Sequence, residues 1–547
     1  MIPGSANPLL LTGAAEAEGY AIERSLRFNS ADIAYLSRTP ASAGNRKTWT
    51  WAAWVKRGSL GVLNAIFSIR AAADDSSYFD FIFNGGDQLS VSNYSTFLRI
   101  TTQVFRDASA WCHLVLANDT TQATANNRLR LYVNGAEVTQ FSTINNVAQS
   151  TDMGINLASG TNIGRLAGSS HYCSLMLADI HFIDGQALDP TSFGEFDTNG
   201  VWQPIAYTGT YGTNGFHLPF SDNSTAAALG TDTSGNSNTW TVNNISVTAG
   251  SGNDSLVDTP TSYGTDTGAG GEVRGNYATL NPLDITSGMT LSNGNLEVAQ
   301  LAGADKGAYG TIGVSSGKWY WEVQCTANIY SMVGIADLGK ALALREYPDT
   351  TGGGLYYHQV NGALYGYLGG SFVGTSYGAA FTSASDIVGV ALDMDNGNVS
   401  FYKNGVNQGV ANTSSLLGKT IVAAIGNGAA TASNVINFGQ RPFAYPAPSG
   451  YKALCTTNLP APQTITTSGS YTGNGVADGP FVYLNGVPTA MTVNGNAVTF
   501  GTEADKLSNG FKIRTTSTTY NQNASTYNYS ITSTGDPFKI ARAQANP

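Results

Sequence analysis

The side chains best suited to metal binding or proton transfer near neutral pH are five histidines, His113, His171, His181, His217 and His358. None forms an HxH, HxxH or HExxH pattern, so a metal hydrolase site would need distant segments to converge. His113 follows Trp111 and Cys112 in a strand-like run and reads as structural. His358 stands beside Tyr356 and Tyr357 and is the more suggestive of the five. The acidic run DMDNGN at 393–398 resembles the start of a calcium loop. That loop needs Gly at its sixth position and a bidentate Glu at its twelfth, where this chain has Asn398 and Asn404. LLGKT at 416–420 resembles the end of a phosphate-binding loop, but Thr413 stands where the first glycine belongs. A glycosidase needs two carboxyl groups held about 5 Å or more apart, and no closely spaced Glu/Asp set supplies them. No catalytic residue, cofactor or assignable metal-ligand set is therefore expected.

Aromatic rings offer a different chemistry, because sugar C–H faces lie flat against them. Tyr347, Tyr356, Tyr357, Tyr365, Tyr367 and Tyr377 cluster in a Gly-rich region around His358. In LYGYLGG, Tyr365 and Tyr367 fall on one strand face and read as packing. Tyr347, Tyr357 and His358 are the expected glycan or protein contacts.

The elements that must position these residues are strands. Charged residues make up only 12% of the 547, about half the roughly 25% of an ordinary domain, and Gly contributes 64 positions. That mixture suits turn-rich β structure. Lys and Arg number 27 against 37 Asp and Glu, a net charge of −10, and no basic cluster forms a nucleic-acid footprint. Cys112, Cys173, Cys325 and Cys455 are widely spaced with no CxxC pair, so free buried thiols are expected. No apolar run is long enough for a membrane helix. The start, MIPGSANPLLLTG, has no basic region and does not read as a secretion signal.

Period-two alternation in TWTWAAWVKRG (48–58), YFDFIF (78–83), WCHLVLAND (111–119) and RLRLYVNG (128–135) predicts a sandwich over 21–220. Residues 1–20 are Ala, Gly and Pro rich and are expected to form an N-terminal arm, either anchoring the chain to a partner or disordered. The polar, turn-rich stretch 221–274 is expected to be a linker. GKWYWEVQC (317–325), IVGVALDMDNGNVSFYKNG (387–405) and TIVAAIGNG (420–428) predict a second sandwich over 275–445. A proline-bearing connector and a small β-rich unit follow at 446–547. Asn-Gly pairs recur, and Asn-Gly tolerates the two left-handed residues of a type I′ hairpin turn. Asn134-Gly135, Asn396-Gly397 and Asn404-Gly405 are thus read as structural turns, as is the pair in VYLNG at 482–486.

WTWAAWVKRG, WCHLVLANDTT, RLRLYVNGAEV and LADIHFIDGQAL together resemble a laminin-G or concanavalin-like jelly roll. SGKWYWEV, VGIAD, VALDMDNGNVSFYKNG and INFGQRPF resemble a SPRY domain. Calcium-binding laminin-G domains use rim carboxylates, but the resemblance does not match Asp74, Asp75 or Asp179 to them. The combination, with IPGSANPLLL near the start and DGPFVYLNGVP near the end, resembles proteins of tailed bacteriophages. That resemblance implies a non-enzymatic virion protein made in the host cytoplasm and carried on the particle surface. A homo-oligomeric fibre or appendage, such as a trimer, would bind other virion proteins and a host-surface glycan or protein, without nucleic acid or membrane insertion. The alternatives are a capsid or tail decoration protein and, behind it, a polysaccharide depolymerase.

Overall fold

The computed structural model describes residues 19–540 apart from 71–77, 198–200, 267, 269–271, 301–305, 327–329, 341, 343–344, 346–352, 369–370, 413–415, 428–432, 461–462, 478, 484–485, 508–509 and 536–538. The chain is all-β, as its alternation predicts. It divides into two compact units: one holds two sandwiches and runs to Asn458, and the other comprises Val314–Ser316 and Leu459–Lys539.

The first sandwich joins two eight-stranded sheets. In one, Thr48–Arg57 lies between Trp111–Asp119 and Leu175–Asp184, and Ser25–Phe28 follows beyond. In the other, Asn64–Arg70, Tyr78–Phe83 and Gln88–Asn93 run as a meander. Trp49 and Trp51, two residues apart, point to the same face, where Trp49 meets Phe79 edge-on at 5.4 Å and Trp51 meets Phe81 at 5.3 Å. Each indole leaves on the order of 200 Å² of water contact, worth roughly 5 kcal/mol before entropy is charged. The opposite face of that sheet is also covered, since Ala52, Val115 and Ile183 pack under Phe193.

The stretch expected as a linker is woven into this sandwich. Thr241–Asn243 pairs with Tyr35–Arg38, and Ser255–Leu256 pairs with Ser25–Phe28. Leu229, Trp240 and Ile245 enter the core. Its polar side chains bond inward: the Asp232 carboxylate accepts from the backbone N–H groups of His217, Ser234 and Asn238. Few apolar anchors therefore suffice to fix it.

The second sandwich pairs a seven-stranded sheet, which contains Gly354–His358 and Ala363–Leu368, with an eight-stranded one centred on Lys318–Cys325 and Ile387–Asp393. Lys452–Ala453, from the expected connector, adds to the latter in parallel to Lys318–Cys325. The two sandwiches meet through buried polar contacts. Lys56 Nζ donates to Asp258 Oδ2 and Asn276 Oδ1 at 2.7 Å and to the Tyr277 carbonyl at 2.8 Å. Burial pushes the Lys56 ammonium down and Asp258 pulls it back up. Asn293, Gly294 and Asn295 are all left-handed, and this tight turn sets Gly294 against Arg27 and Met176, where a Cβ would lie 2.6 Å from the Met176 methyl. Arg27 bonds Asp254 at 2.9 Å with both side chains buried.

The second unit has a four-stranded and a three-stranded sheet around Tyr471, Val493, Phe511, Ile513, Tyr527 and Ile531. The Asn521 amide sits inside it, donating to the carbonyls of Val476 and Thr515 at 2.7 and 2.9 Å. The four cysteines are free thiols.

Candidate functional site

Strand Gly354–His358 lies between Ser331–Asp337 and Ala363–Leu368 and sends successive side chains to opposite faces. Tyr357 turns inward. Its ring packs on Phe381 at 4.8 Å, Phe401 at 5.4 Å and Tyr377 at 5.5 Å, and its hydroxyl donates to the Ala379 carbonyl. It is fully buried, so the expectation that it contacts a ligand is corrected: it is a core residue. Tyr356 points the other way but is buried too, donating to the Arg345 carbonyl at 2.6 Å.

His358 lies on that outer side between two tyrosines. Tyr365 meets its ring edge-on at 5.2 Å and Tyr330 at 5.8 Å. Tyr330 is 47% exposed, Tyr365 is half-buried and the imidazole is mostly covered. The Asn361 amide donates to the Tyr365 hydroxyl at 2.9 Å and fixes that ring. Burial lowers the His358 pKa, partly opposed by a hydrogen bond with Asn361, so the imidazole is neutral at pH 7. Such a patch offers aromatic faces, a phenol and an uncharged ring, suited to neutral glycan or peptide surface rather than to an ion. Tyr330 lay outside the tyrosine cluster that the sequence pointed to, and Tyr365 reads from its alternation as mere packing. Tyr347 lies outside the described residues.

The Asn-Gly turns form a common device. Asn134 and Gly135 have φ of 48° and 78°, and Asn404 and Gly405 have 49° and 78°. In each, the Asn side chain accepts from a backbone N–H of the neighbouring strand, His113 at 2.7 Å and Ile387 at 2.8 Å. Asn494-Gly495 repeats the geometry, with Asn494 accepting from Asn528 N–H at 2.9 Å. Of the pair in VYLNG, Asn485 falls outside the described residues, and Gly486 opens the strand Gly486–Val493. Asn396-Gly397 is a turn as expected, joining Ile387–Asp393 to Asn398–Lys403, but not of the I′ type: Gly397 alone is left-handed, and Asn396 donates to Asp393 at 2.9 Å. That carboxylate also pairs with Lys318 at 3.1 Å, so this turn is tied by charge.

A second convergence, not legible as a histidine motif, lies in the first sandwich. A bulge interrupts the pairing of Leu175–Asp184 with Thr48–Arg57 between Ala178 and His181, and Asp179 there adopts φ of 53°. Short strand Phe216–Leu218 pairs with the same segment and sets His217 opposite His181. Their rings stack at 4.3 Å, inclined by 8°. Asp179 Oδ1 bonds His217 Nε2 at 2.7 Å and accepts from the Tyr20 hydroxyl at 2.7 Å, and Oδ2 lies 3.2 Å from His181 Nε2. Burial alone would raise the Asp179 pKa, but the two imidazoles hold it far below the carboxylate range. Burial lowers the pKa of His181, with Asp179 pulling against it. The sequence signal was the Asp-x-His spacing of ADIHF. Asp74 and Asp75 lie outside the described residues.

With this geometry in place, the class of protein is plain. Residues 318–441 match the family model described as the SPRY domain, and 31–190 match that of the Concanavalin A-like lectin/glucanases superfamily. The chain is an all-β protein with a laminin-G-like domain and a SPRY-like sandwich, domain types that are characteristically non-catalytic interaction modules. Similar solved structures include the SPRY domain of human HERC1, at 18% identity over 30% of this chain and 99% of that one, TM-score 0.26. A human SPRY domain matches at 15% identity over 28% and 98%, TM-score 0.23. The PSpry domain of TRIM65 matches at 14% over 29% and 89%, TM-score 0.23.

Proposed function

We propose that this chain is a virion-surface protein of a tailed bacteriophage, an oligomeric fibre or appendage that contacts host-surface glycan or protein without catalysis. It is made in the host cytoplasm and carried out on the particle. The observation that carries the contact role is the Tyr330–His358–Tyr365 patch, with an exposed phenol ring beside a neutral imidazole on an interaction-type sandwich. Several copies on one particle bind through effective concentration, so a single site need hold only weakly. The phage setting rests on the resemblance drawn from the sequence. The oligomeric protein is expected to bind receptor-positive cells, and Tyr330→Ala to reduce that binding at least about tenfold through multivalent loss. Equal binding by the variant, or normal adsorption by virions lacking the protein, would sink this reading.

A decoration role has its own support. Val406–Asn412 is one of the two edge strands of its sheet and exposes Val406 at 64% and Val410 at 55%. An open edge with apolar side chains suits pairing with another protein. A particle map with this edge covered by a neighbouring virion protein and the Tyr330 patch occluded would favour decoration over adhesion.

A further inference from the structure

We infer that Asp179, His181 and His217 form a site for one first-row divalent transition metal, Zn²⁺ being the best-matched ion, that clasps the N-terminal segment to the first sandwich. The ligand atoms of the three residues all lie within 4.8 Å of one another in the protein interior. Both Nε2 atoms lie against the Asp179 carboxylate, one at each oxygen, and the Tyr20 hydroxyl approaches the same group, 3.5 Å from His217 Nε2. Two imidazole nitrogens with one carboxylate oxygen are a borderline donor set, suited to zinc and its neighbours and too poor in oxygen for calcium or magnesium.

The outer contacts have the form that metal-bound histidines require. The far nitrogen of each ring is held by a hydroxyl, His181 Nδ1 by Tyr211 at 2.9 Å and His217 Nδ1 by Thr233 at 2.7 Å. With the proton of each neutral ring on Nε2, these hydroxyls donate to Nδ1 and the Nε2–H groups face Asp179. On metal binding each ring proton shifts from Nε2 to Nδ1, the Tyr211 and Thr233 oxygens become acceptors, and Nε2 is left with a lone pair for the ion. No proton need be lost from either ring. A four-coordinate ion with bonds of about 2.0–2.1 Å spaces its ligands about 3.3 Å apart. The present spacings of 2.7 and 3.2 Å from Asp179 to the rings are close to that value, and because the rings now stack 8° from parallel, one of them must tilt out of the stack for both Nε2 lone pairs to reach one ion.

Backbone strain points the same way. Asp179 holds a left-handed conformation that a non-glycine residue adopts at a cost, and the bulge that imposes it aims the carboxylate between the two rings. The His217 side chain is 14% exposed, which gives an ion an entry side. Ligands and supports come from Tyr20, Leu175–Asp184, Phe216–Leu218 and the Thr233 turn, so an ion would tie four separate segments.

The test uses the full chain, stripped of metal with a chelator and titrated with Co²⁺ as a coloured stand-in for Zn²⁺. Visible absorption of low-coordinate Co²⁺ saturating at one equivalent, displaced by Zn²⁺ and accompanied by a rise in Tm, is the expected result. His217→Gln keeps a donor for Asp179 yet is a poor ligand, and should weaken Co²⁺ binding at least about a hundredfold. Thr233→Val, which removes only an outer contact, should weaken it about tenfold. Wild-type protein that takes up no Co²⁺ saturably, or binding undiminished in folded His217→Gln, would overturn the site and leave a hydrogen-bonded cluster only.

Discussion

Asp80 sits on the outward side of Tyr78–Phe83, between the inward rings of Phe79 and Phe81 and opposite Ser68 and Ser92 on the neighbouring strands. Burial pushes its carboxyl up to about 7, with Arg70 opposing. The folded state thus holds a proton on Asp80 more tightly than the unfolded chain does, and stability falls as pH rises from about 4 to about 7. Asp80→Asn removes that slope. Its stability gain over the parent should be about 1–3 kcal/mol at pH 8 and vanish near pH 4, read from urea unfolding at the two pH values. An unchanged difference across that range would refute the assignment. At this scale the sequence is a poor guide. Strand alternation places Tyr357 opposite Tyr356 and His358 but cannot say which face is the core, and the structure puts Tyr357 inside.

The hairpin turns belong to the scale of the element. Gly135 and Gly495 share left-handed φ values of 78° and 82°, but their surroundings differ. A Cβ on Gly135 would lie 2.4 Å from the Trp202 ring, whereas one on Gly495 would meet nothing within 4 Å. Gly495→Ala should cost only the conformational term, about 1 kcal/mol, and Gly135→Ala about 3 kcal/mol or more, since the indole must move. Denaturant midpoints for the two variants, each referred to its own unfolding transition, would check the ranking; equal costs would show that Trp202 yields freely. These turns were legible because Asn-Gly chemistry is local, and the strands around Trp49 and Trp51 were legible because alternation is local too. The course of 221–274 was not, because its polar residues bond one another through carboxylates such as Asp232, and among its described hydrophobic residues only Leu229, Trp240, Ile245, Leu256 and Val273 are buried. The Asp179 cluster escaped for a related reason: the register that sets His217 opposite His181 joins residues 36 positions apart.

At the scale of the whole molecule, the join between the sandwiches is held by desolvated charge. Asp258 is fully buried and is met by Lys56 and by the Trp111 indole N–H at 2.9 Å. Lys56→Met strands that carboxylate and should lower stability by about 3–5 kcal/mol in the unfolding transition that the two sandwiches share. Unchanged stability, or separate unfolding of the two sandwiches in the parent protein, would contradict the coupling. The join has a mechanical meaning as well. A bend between the sandwiches must pull the Lys56 ammonium from Asn276 and the Tyr277 carbonyl or let water reach the buried Lys56–Asp258 pair, and either costs several times thermal energy. The stretch expected from its sequence to be a linker therefore works as a strut, and a tug on one sandwich reaches the other with little slack to absorb it.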